Sequence, residues 1–459
     1  MTTLSADSTV PVASTHLPQI ERRASLPAGF RAGGLAAGIK ASGRPDLAIA
    51  VTTAGPAAVA AVFTPNAFAA APVRQSRVNL AETSGDARGG FGWAQAVIST
   101  SGSANAATGA VGDEDQAEVG RRLAAVAGIP EAHVLHLSTG IIGTRLPLDR
   151  VAAGIAALFP ALEASDAGLE AAAVALCTTD SVTKTATTTV ELPGSDGEPV
   201  TVTVSGIAKG VGMIHPNMAT MLAVVLTDAS IQPGLLWSLL RPAAARTWNQ
   251  LSVDGDTSTN DTVFVLASGA SGGAEVQAGT SVASALGRAI EAVARDLARQ
   301  QAADGEGATI LITAAVRGAR DDAEARAVAR SIVSSSLVKA AAHGKDPNWG
   351  RIAGAAGNAR LASAAVLEAA GLDPDEAAAR SGSPVTLDPD RLHIAIAGHS
   401  VFDGTLGGPL AFDRAAARSA MDAPELNIDL DLRLGDGTGE AFGCDLTEAY
   451  VLENSEYTT

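Results

Sequence analysis

Along this chain apolar positions keep two rhythms: short runs or two-residue alternations that predict strands, and three-to-four-residue spacings that predict helices. Leu47–Val51, Val97–Thr100 and Val134–Leu137 are strand-like, and Thr183–Leu192 pairs with Val200–Val204 across a hairpin turn at Pro193–Gly197. Met221–Leu226 is apolar throughout, the pattern of a buried strand. Helical spacing puts Val119, Leu123 and Val126 on one face, between a start at Gly112-Asp113 and a stop at Gly128-Ile129-Pro130. The same spacing predicts helices at Leu148–Leu158, Leu169–Leu176 and Ser281–Arg299, the last with a stripe of Leu286, Ile290, Val293 and Leu297. Two more are expected at Leu235–Gln250, broken or kinked by Pro242, and at Asp321–Lys339. A strand through Val316 follows the glycine-rich turn Asp304–Thr309.

Composition narrows the class. With 459 residues and 47% hydrophobic content the chain can bury a large core, yet only 3% of it is aromatic, so packing relies on small and branched aliphatic side chains. A net charge of −17 argues against a nucleic-acid partner, which would need a basic face. Cys177 and Cys444 are the only cysteines, too few for a disulfide framework and without Cys-x-x-Cys spacing, so a reducing cytoplasmic setting fits. No apolar run approaches a membrane span, and no apolar signal core opens the chain. Residues 1–26 are rich in Ser, Thr, Ala and Pro without any period and are expected to form a disordered tail. The seven histidines show neither HExxH nor paired spacing, so no metal is expected. The acidic run Val253–Thr262 looks at first like a calcium loop but lacks the Glu at the twelfth position and a second helix; it is read as supporting structure.

Candidate chemistry concentrates where a loop with three glycines and a proline, Gly206–Ala219, runs into the apolar Met221–Leu226. Thr220 stands at that junction. On spacing alone it reads first as a β-branched strand opener. The second reading is covalent. If the loop strains the Ala219-Thr220 peptide, an N-to-O acyl shift and hydrolysis would cut the chain and free an α-amine, which titrates at about 7.7–8.0 and can take the proton of its own hydroxyl. Upstream, Thr139-Gly140 closes a predicted strand; it reads as a tight turn, or as a place where a backbone N–H and a hydroxyl meet an oxyanion. The turn Ser101–Gly109 likewise reads as an anion-facing loop or as a plain turn before a helix.

Gly206–Ala229, with Asn217-Met218-Ala219-Thr220-Met221-Leu222 at its centre, resembles the cleavage motif of the ornithine acetyltransferase family, also called bifunctional glutamate N-acetyltransferases, of arginine biosynthesis. Further segments extend the resemblance over nearly the whole chain: Gly29–Lys40, Thr178-Thr179-Asp180, Val253–Thr262, Asp304–Thr309, His343–Ile352 and the tail Asn454–Thr459. The sequence departs from the family pattern at Ser103, Ser181 and Ile310. The resemblance implies an α/β fold of mixed sheets layered with helices, like that of self-cleaving N-terminal-nucleophile hydrolases and aminopeptidases. It implies cleavage between Ala219 and Thr220, giving an alpha chain (27–219 after the tail) and a beta chain (220–459) that assemble as two of each.

Thr220 would then carry acetyl from N-acetylornithine to glutamate. The family's oxyanion hole falls on Thr139 and Gly140, and its substrate contacts fall on Thr178, Lys209, Glu306, Asn454 and Thr459 as well as on Thr220 itself. No cofactor is implied, although some members also use acetyl-CoA as a co-substrate. Two other readings stay open at this point: an N-terminal-threonine amidase or aminopeptidase in which water is the acceptor, and a non-catalytic amino-acid-binding homologue that kept the pocket.

Overall fold

Strands that are buried at every position must be covered on both faces, and here they lie inside a six-stranded sheet. The computed structural model describes residues 17–215 and 221–455, which divide into two units. The first comprises Pro18–Glu306, Ala369–Gly371 and the chain end from Glu453; the second comprises Gly307–Glu368 and Leu372–Leu452.

The first unit contains β1 (Phe30–Leu35), β2 (Leu47–Thr52), β3 (Ala57–Phe63), β4 (Phe91–Ala94), β5 (Ala96–Ser103), β6 (Val134–Ile141), β7 (Lys184–Pro193), β8 (Pro199–Lys209), β9 (Leu222–Thr227), the two-residue β10 (Leu251–Ser252) and β11 (Thr262–Ala267). Its helices are α1 (Ala71–Ser84), α2 (Gly109–Ala127), α3 (Leu148–Leu158), α4 (Asp166–Leu176), α5 (Pro233–Arg246) and α6 (Ser281–Ala303). One sheet runs β1-β2-β5-β6 and the other β4-β3-β11-β9-β8-β7. β3, β9 and β11 are buried at every residue, and β9 pairs parallel with β11 on one side and antiparallel with β8 on the other.

The main core lies between these sheets. Ala48, Val97, Leu135 and Leu137 from one meet Val59, Phe63, Val224, Leu226 and Phe264 from the other, and α4 contributes Leu169, Ala172 and Leu176. Alternate residues of the first sheet, Leu47, Ile49, Ile98 and Val134, point the other way and are covered by Val119 and Leu123 of α2 and by Val151 and Ile155 of α3. α5 and α6 cover the larger sheet, where Gly206 lets Val293 and Leu297 approach the strand; a Cβ there would lie 2.8 Å from each. The expected α/β class of layered mixed sheets and helices holds.

Of the residues expected to form a disordered tail, 1–16 lie outside the described residues. Residues 19–23 instead lie along β7, an edge strand whose outer backbone groups need partners. Glu21 exchanges two backbone hydrogen bonds of 2.8 Å with Thr187, and Thr188 Oγ1 donates to the carbonyl of Gln19 at 2.8 Å. α5 runs unbroken through Pro242 and ends at Arg246, followed by a separate 3-10 turn at Trp248–Gln250.

In the second unit β12 (Leu311–Ala319), β13 (His393–Ile396), β14 (His399–Asp403), β15 (Gly408–Pro409), β16 (Glu425–Asp431) and β17 (Gly437–Cys444) run in the order β17-β12-β16-β13-β14-β15. The helix predicted at Asp321–Lys339 is two, α7 (Asp322–Ser334) and α8 (Ser336–His343). Ser335 leaves the helical region and its hydroxyl accepts from Val338 N at 3.3 Å, which starts the second helix. α7 packs on β12 and β17 through Val328, Ile332 and Val333. The segment His343–Ile352 belongs to this unit, where it ends α8 and opens α9 (Trp349–Gly357).

Candidate active site

Five loops of the first unit line a cavity of about 280 Å³. Each follows directly from an element whose register is fixed by burial, so the side chains at the loop starts inherit their positions from the sheets and helices.

β6 delivers Thr139 and Gly140. Thr139 is 9% exposed, and Gly140 has φ +128°. A Cβ on Gly140 would stand 2.4 Å from the carbonyl carbon of Gly102 and 2.7 Å from Ser103 N, so β5 passes too close for any other residue. The parallel ladder between β5 and β6 shifts register at this same point, between Gly102 and Ser103. In the neighbouring turn two N–H groups are used internally: Ala104 N donates to Ile141 O (3.0 Å) and Asn105 N to Ser103 Oγ (3.3 Å). The turn connects β5 to α2, with Ser103 Oγ donating to Thr144 O at 2.8 Å.

β8 ends on Lys209, whose ammonium donates to Thr139 Oγ1 at 3.2 Å and whose carbonyl accepts from Gln301 Nε2 at 2.8 Å. A cation beside the hydroxyl fits this corner for an anionic group. α4 leads to Thr178 and Thr179. Thr178 N donates to Asp180 Oδ2 (2.9 Å), and Thr179 Oγ1 donates to Glu306 Oε1 (3.2 Å). α6 leads to Glu306, whose N–H donates to Val211 O at 2.7 Å and whose Oε2 accepts from Asn454 Nδ2 at 3.0 Å. The lining therefore carries a cation, Lys209, and a carboxylate, Glu306, on different loops.

The fifth loop, between β10 and β11, carries Ser258, Thr259, Asn260 and Asp261 into the lining. Asn260 Nδ2 donates to Ala104 O (2.6 Å) and Ser138 O (2.8 Å), tying the ends of β5 and β6 together. Asp254 accepts N–H bonds from Met213, Ile214 and Asp256, which fixes the loop after Lys209. The supporting role expected of Val253–Thr262 holds, and four of its residues also face the cavity. Asp261 is 3% exposed and its Oδ2 has no hydrogen-bond partner among the described residues. Burial pushes its carboxyl well above the usual range, outweighing Ser258 and the charge of Lys209.

The structure thus brings together Thr139, Gly140, Thr178, Lys209, Glu306 and Asn454 from five distant stretches of sequence. Ala219, Thr220 and Thr459 lie outside the described residues, although Met221, next to Thr220 in the chain, lines the same cavity. Sequence reasoning passed over Thr179, Asp261 and the lining role of Met213. Thr179 and Asp261 lie inside segments that resemble the family's motifs, and that was the available signal. Among the described residues no group of three or more His, Cys, Asp or Glu side chains is placed to hold a metal ion, and no helix is long and apolar enough to cross a membrane.

Residues 31–459 match the family model described as the ArgJ family. The chain belongs to the ArgJ family. It is 42% identical over 434 residues to the "Arginine biosynthesis bifunctional protein ArgJ" of Gloeobacter violaceus, covering 94% of this chain and 96% of that one. Against the ArgJ protein of a Synechococcus strain it is 44% identical over 435 residues, 95% of this chain and 97% of the other. Among solved structures, a chain of ornithine acetyltransferase from Mycobacterium tuberculosis, complexed with ornithine, shares 38% identity with a TM-score of 0.38, over 43% of this chain and 97% of that one. Membership in the ArgJ family places the cavity in an acetyltransferase of arginine biosynthesis.

Proposed function

We propose that this ArgJ-family chain cuts itself before Thr220 and then moves acetyl from N-acetylornithine to glutamate through an acetyl-threonine. The observation that carries the reading is the polarity of the cavity lining: Lys209 Nζ stands 3.2 Å from Thr139 Oγ1 on one loop, and Glu306 stands between Thr179 and Asn454 on another. An amino acid with an α-carboxylate and a terminal ammonium matches that polarity. Lys209 takes the carboxylate and Glu306 the ammonium, each as a charge-assisted pair. Thr459, at the chain end, completes the substrate contacts in this reading.

In the first half-reaction the Thr220 hydroxyl attacks the acetyl carbonyl carbon, and its proton passes to the free Thr220 amine. The tetrahedral oxyanion accepts from Gly140 N and Thr139 Oγ1; each such donor is worth about 3 kcal/mol in the transition state. The C–N bond then breaks, and the departing ornithine α-amine takes the proton from the Thr220 ammonium. In the second half-reaction the α-amine of glutamate attacks the ester carbonyl, and Thr220 Oγ leaves and regains its proton. One pocket serves the two amino acids in turn, so no ternary complex is needed. The mature assembly is read as two alpha and two beta chains, with acetyl-CoA as a further possible donor to the same threonine.

The test is direct. Purified protein is incubated with N-acetylornithine and labelled glutamate, and label is expected in N-acetylglutamate; free acetate alone would instead point to an amidase. Thr220→Ala is expected to leave an uncut chain on a denaturing gel with no transfer. A Thr220→Ala variant that still splits after Ala219 would falsify the self-processing step.

A further inference from the structure

Beneath the cavity lies an ion network that no step above uses. Lys184, the first residue of β7, is fully buried, and its ammonium donates to Asp180 Oδ1 (2.7 Å), to Val182 O (3.2 Å) and to Asp304 Oδ2. All three N–H directions of the ammonium are thereby filled. Asp180 is also buried, and it accepts two further bonds, from Thr178 N (2.9 Å) and Gly210 N (2.8 Å). Asp304 caps the end of α6 and accepts from Ser181 N at 3.1 Å. Burial works against the charge on Asp180, yet Lys209, Lys184 and the Gly210 N–H hold its carboxyl down at about 2.

Each arm of the network ends one or two residues from a cavity side chain. Asp180 bonds the backbone of Thr178 itself and of Gly210, the neighbour of Lys209. Asp304 precedes Glu306 by two residues, and Glu306 N is in turn bonded to Val211 O. The loops after α4, β8 and α6 are thus joined through one ammonium. As a device for stability this is a poor choice, since desolvating three charges is costly and apolar residues of like volume often serve as well or better. What such a network does provide is a fixed geometry. Two carboxylates and one ammonium leave one negative charge, and Lys209 supplies the balancing cation from the cavity side.

We propose that Lys184 is a positioning residue for acetyl transfer: through Asp180 and Asp304 it sets the separation of Lys209 from Glu306, and so the length of diamino acid the cavity accepts. This rests on the assignment of those two residues to the carboxylate and ammonium of the substrate. Lys184 touches no substrate; it acts only through the loops it joins.

The test uses the full-length, self-processed protein and two variants, Asp304→Asn and the double variant Lys184→Met/Asp304→Asn, which removes one charge of each sign. Three acyl donors are compared: N-acetylornithine, its homologue one methylene shorter, and p-nitrophenyl acetate, which has neither carboxylate nor ammonium. Both variants are expected to raise KM for N-acetylornithine about tenfold with kcat within about threefold of wild type, and to narrow the preference over the shorter homologue. Acetylation by p-nitrophenyl acetate, read by intact mass, is expected to stay at the wild-type rate. An unchanged KM and preference in both variants overturns the proposal. So does a parallel loss of activity toward all three donors, or failure of both variants to yield folded, cut protein, because the network would then hold the fold and not the spacing. A wild-type protein acetylated by p-nitrophenyl acetate but not by N-acetylornithine would instead sink the substrate assignment itself.

Discussion

Gly212 has no side chain because Glu306 occupies the place where one would go. A Cβ built there stands 2.1 Å from Glu306 Oε2, while the backbone of Gly212 is not in the left-handed region and would itself accept alanine. Gly212→Ala is therefore expected to push the carboxylate aside without unfolding the chain, raising KM for N-acetylornithine about tenfold, or ~1.4 kcal/mol. Initial rates beside a thermal melt check it; an unchanged KM would show that Glu306 does not meet the substrate. Asp261 makes a different kind of prediction. Its carboxyl is raised by burial, so the protonated form suits the folded state, and its favourable contribution is complete below the ordinary carboxylate range and lost as pH rises through the raised value. Asp261→Asn cannot titrate. The difference in melting temperature between Asp261→Asn and wild type should therefore move in the variant's favour as pH rises from about 4 to 7, and a difference independent of pH would mean that the carboxyl is ordinary.

Among elements, β6 joins the site to the core behind it. Thr139 and Gly140 close its cavity end, while His136, three residues earlier, is fully buried and paired through Nδ1 with Gln116 Nε2 of α2 at 2.9 Å. Burial lowers the imidazole to about 3, so the fold favours its neutral form. That contribution is fully present above the ordinary histidine value and fades as pH falls through about 6.5 toward the lowered one. Wild type should lose melting temperature over that acid range more steeply than His136→Gln; parallel curves would refute the assignment.

Elements were also the most legible part of the sequence. The apolar run Met221–Leu226 became the central strand β9, and Thr139-Gly140 could be placed at a strand end from the apolar Val134–Leu137 before it. Ser335 was hidden, because the 3.6-residue period of the flanking alanines and valines continues across it and only its hydroxyl marks the new start. Lys184 was hidden for another reason. Asp180 and Lys184 four apart look like a solvated pair, and the partner that buries them, Asp304, lies 120 residues onward. Contacts across such separations leave no trace in local periodicity.

On the scale of the molecule, the position of the expected cut matters as much as its chemistry. Residues 1–219 would supply β3, β4, β7 and β8 of the six-stranded sheet, and the remaining 459 − 219 = 240 residues would supply β9 and β11. The order β4-β3-β11-β9-β8-β7 then places the two strands of the second piece between two pairs of the first. Both the β3–β11 and β9–β8 ladders would have to open before the pieces could part. Native size-exclusion chromatography should therefore show one species where a denaturing gel shows two bands; two native peaks would contradict this arrangement.

A ribbon interleaved in this way can be assembled by one connected polymer but not readily reassembled by two. Renaturation of the cut protein becomes a bimolecular search, and its recovery should rise with protein concentration, whereas uncut Thr220→Ala should recover at a concentration-independent rate. Scission would thus act as a ratchet, after which the enzyme's lifetime is set by how slowly it opens and no longer by how favourably it closes.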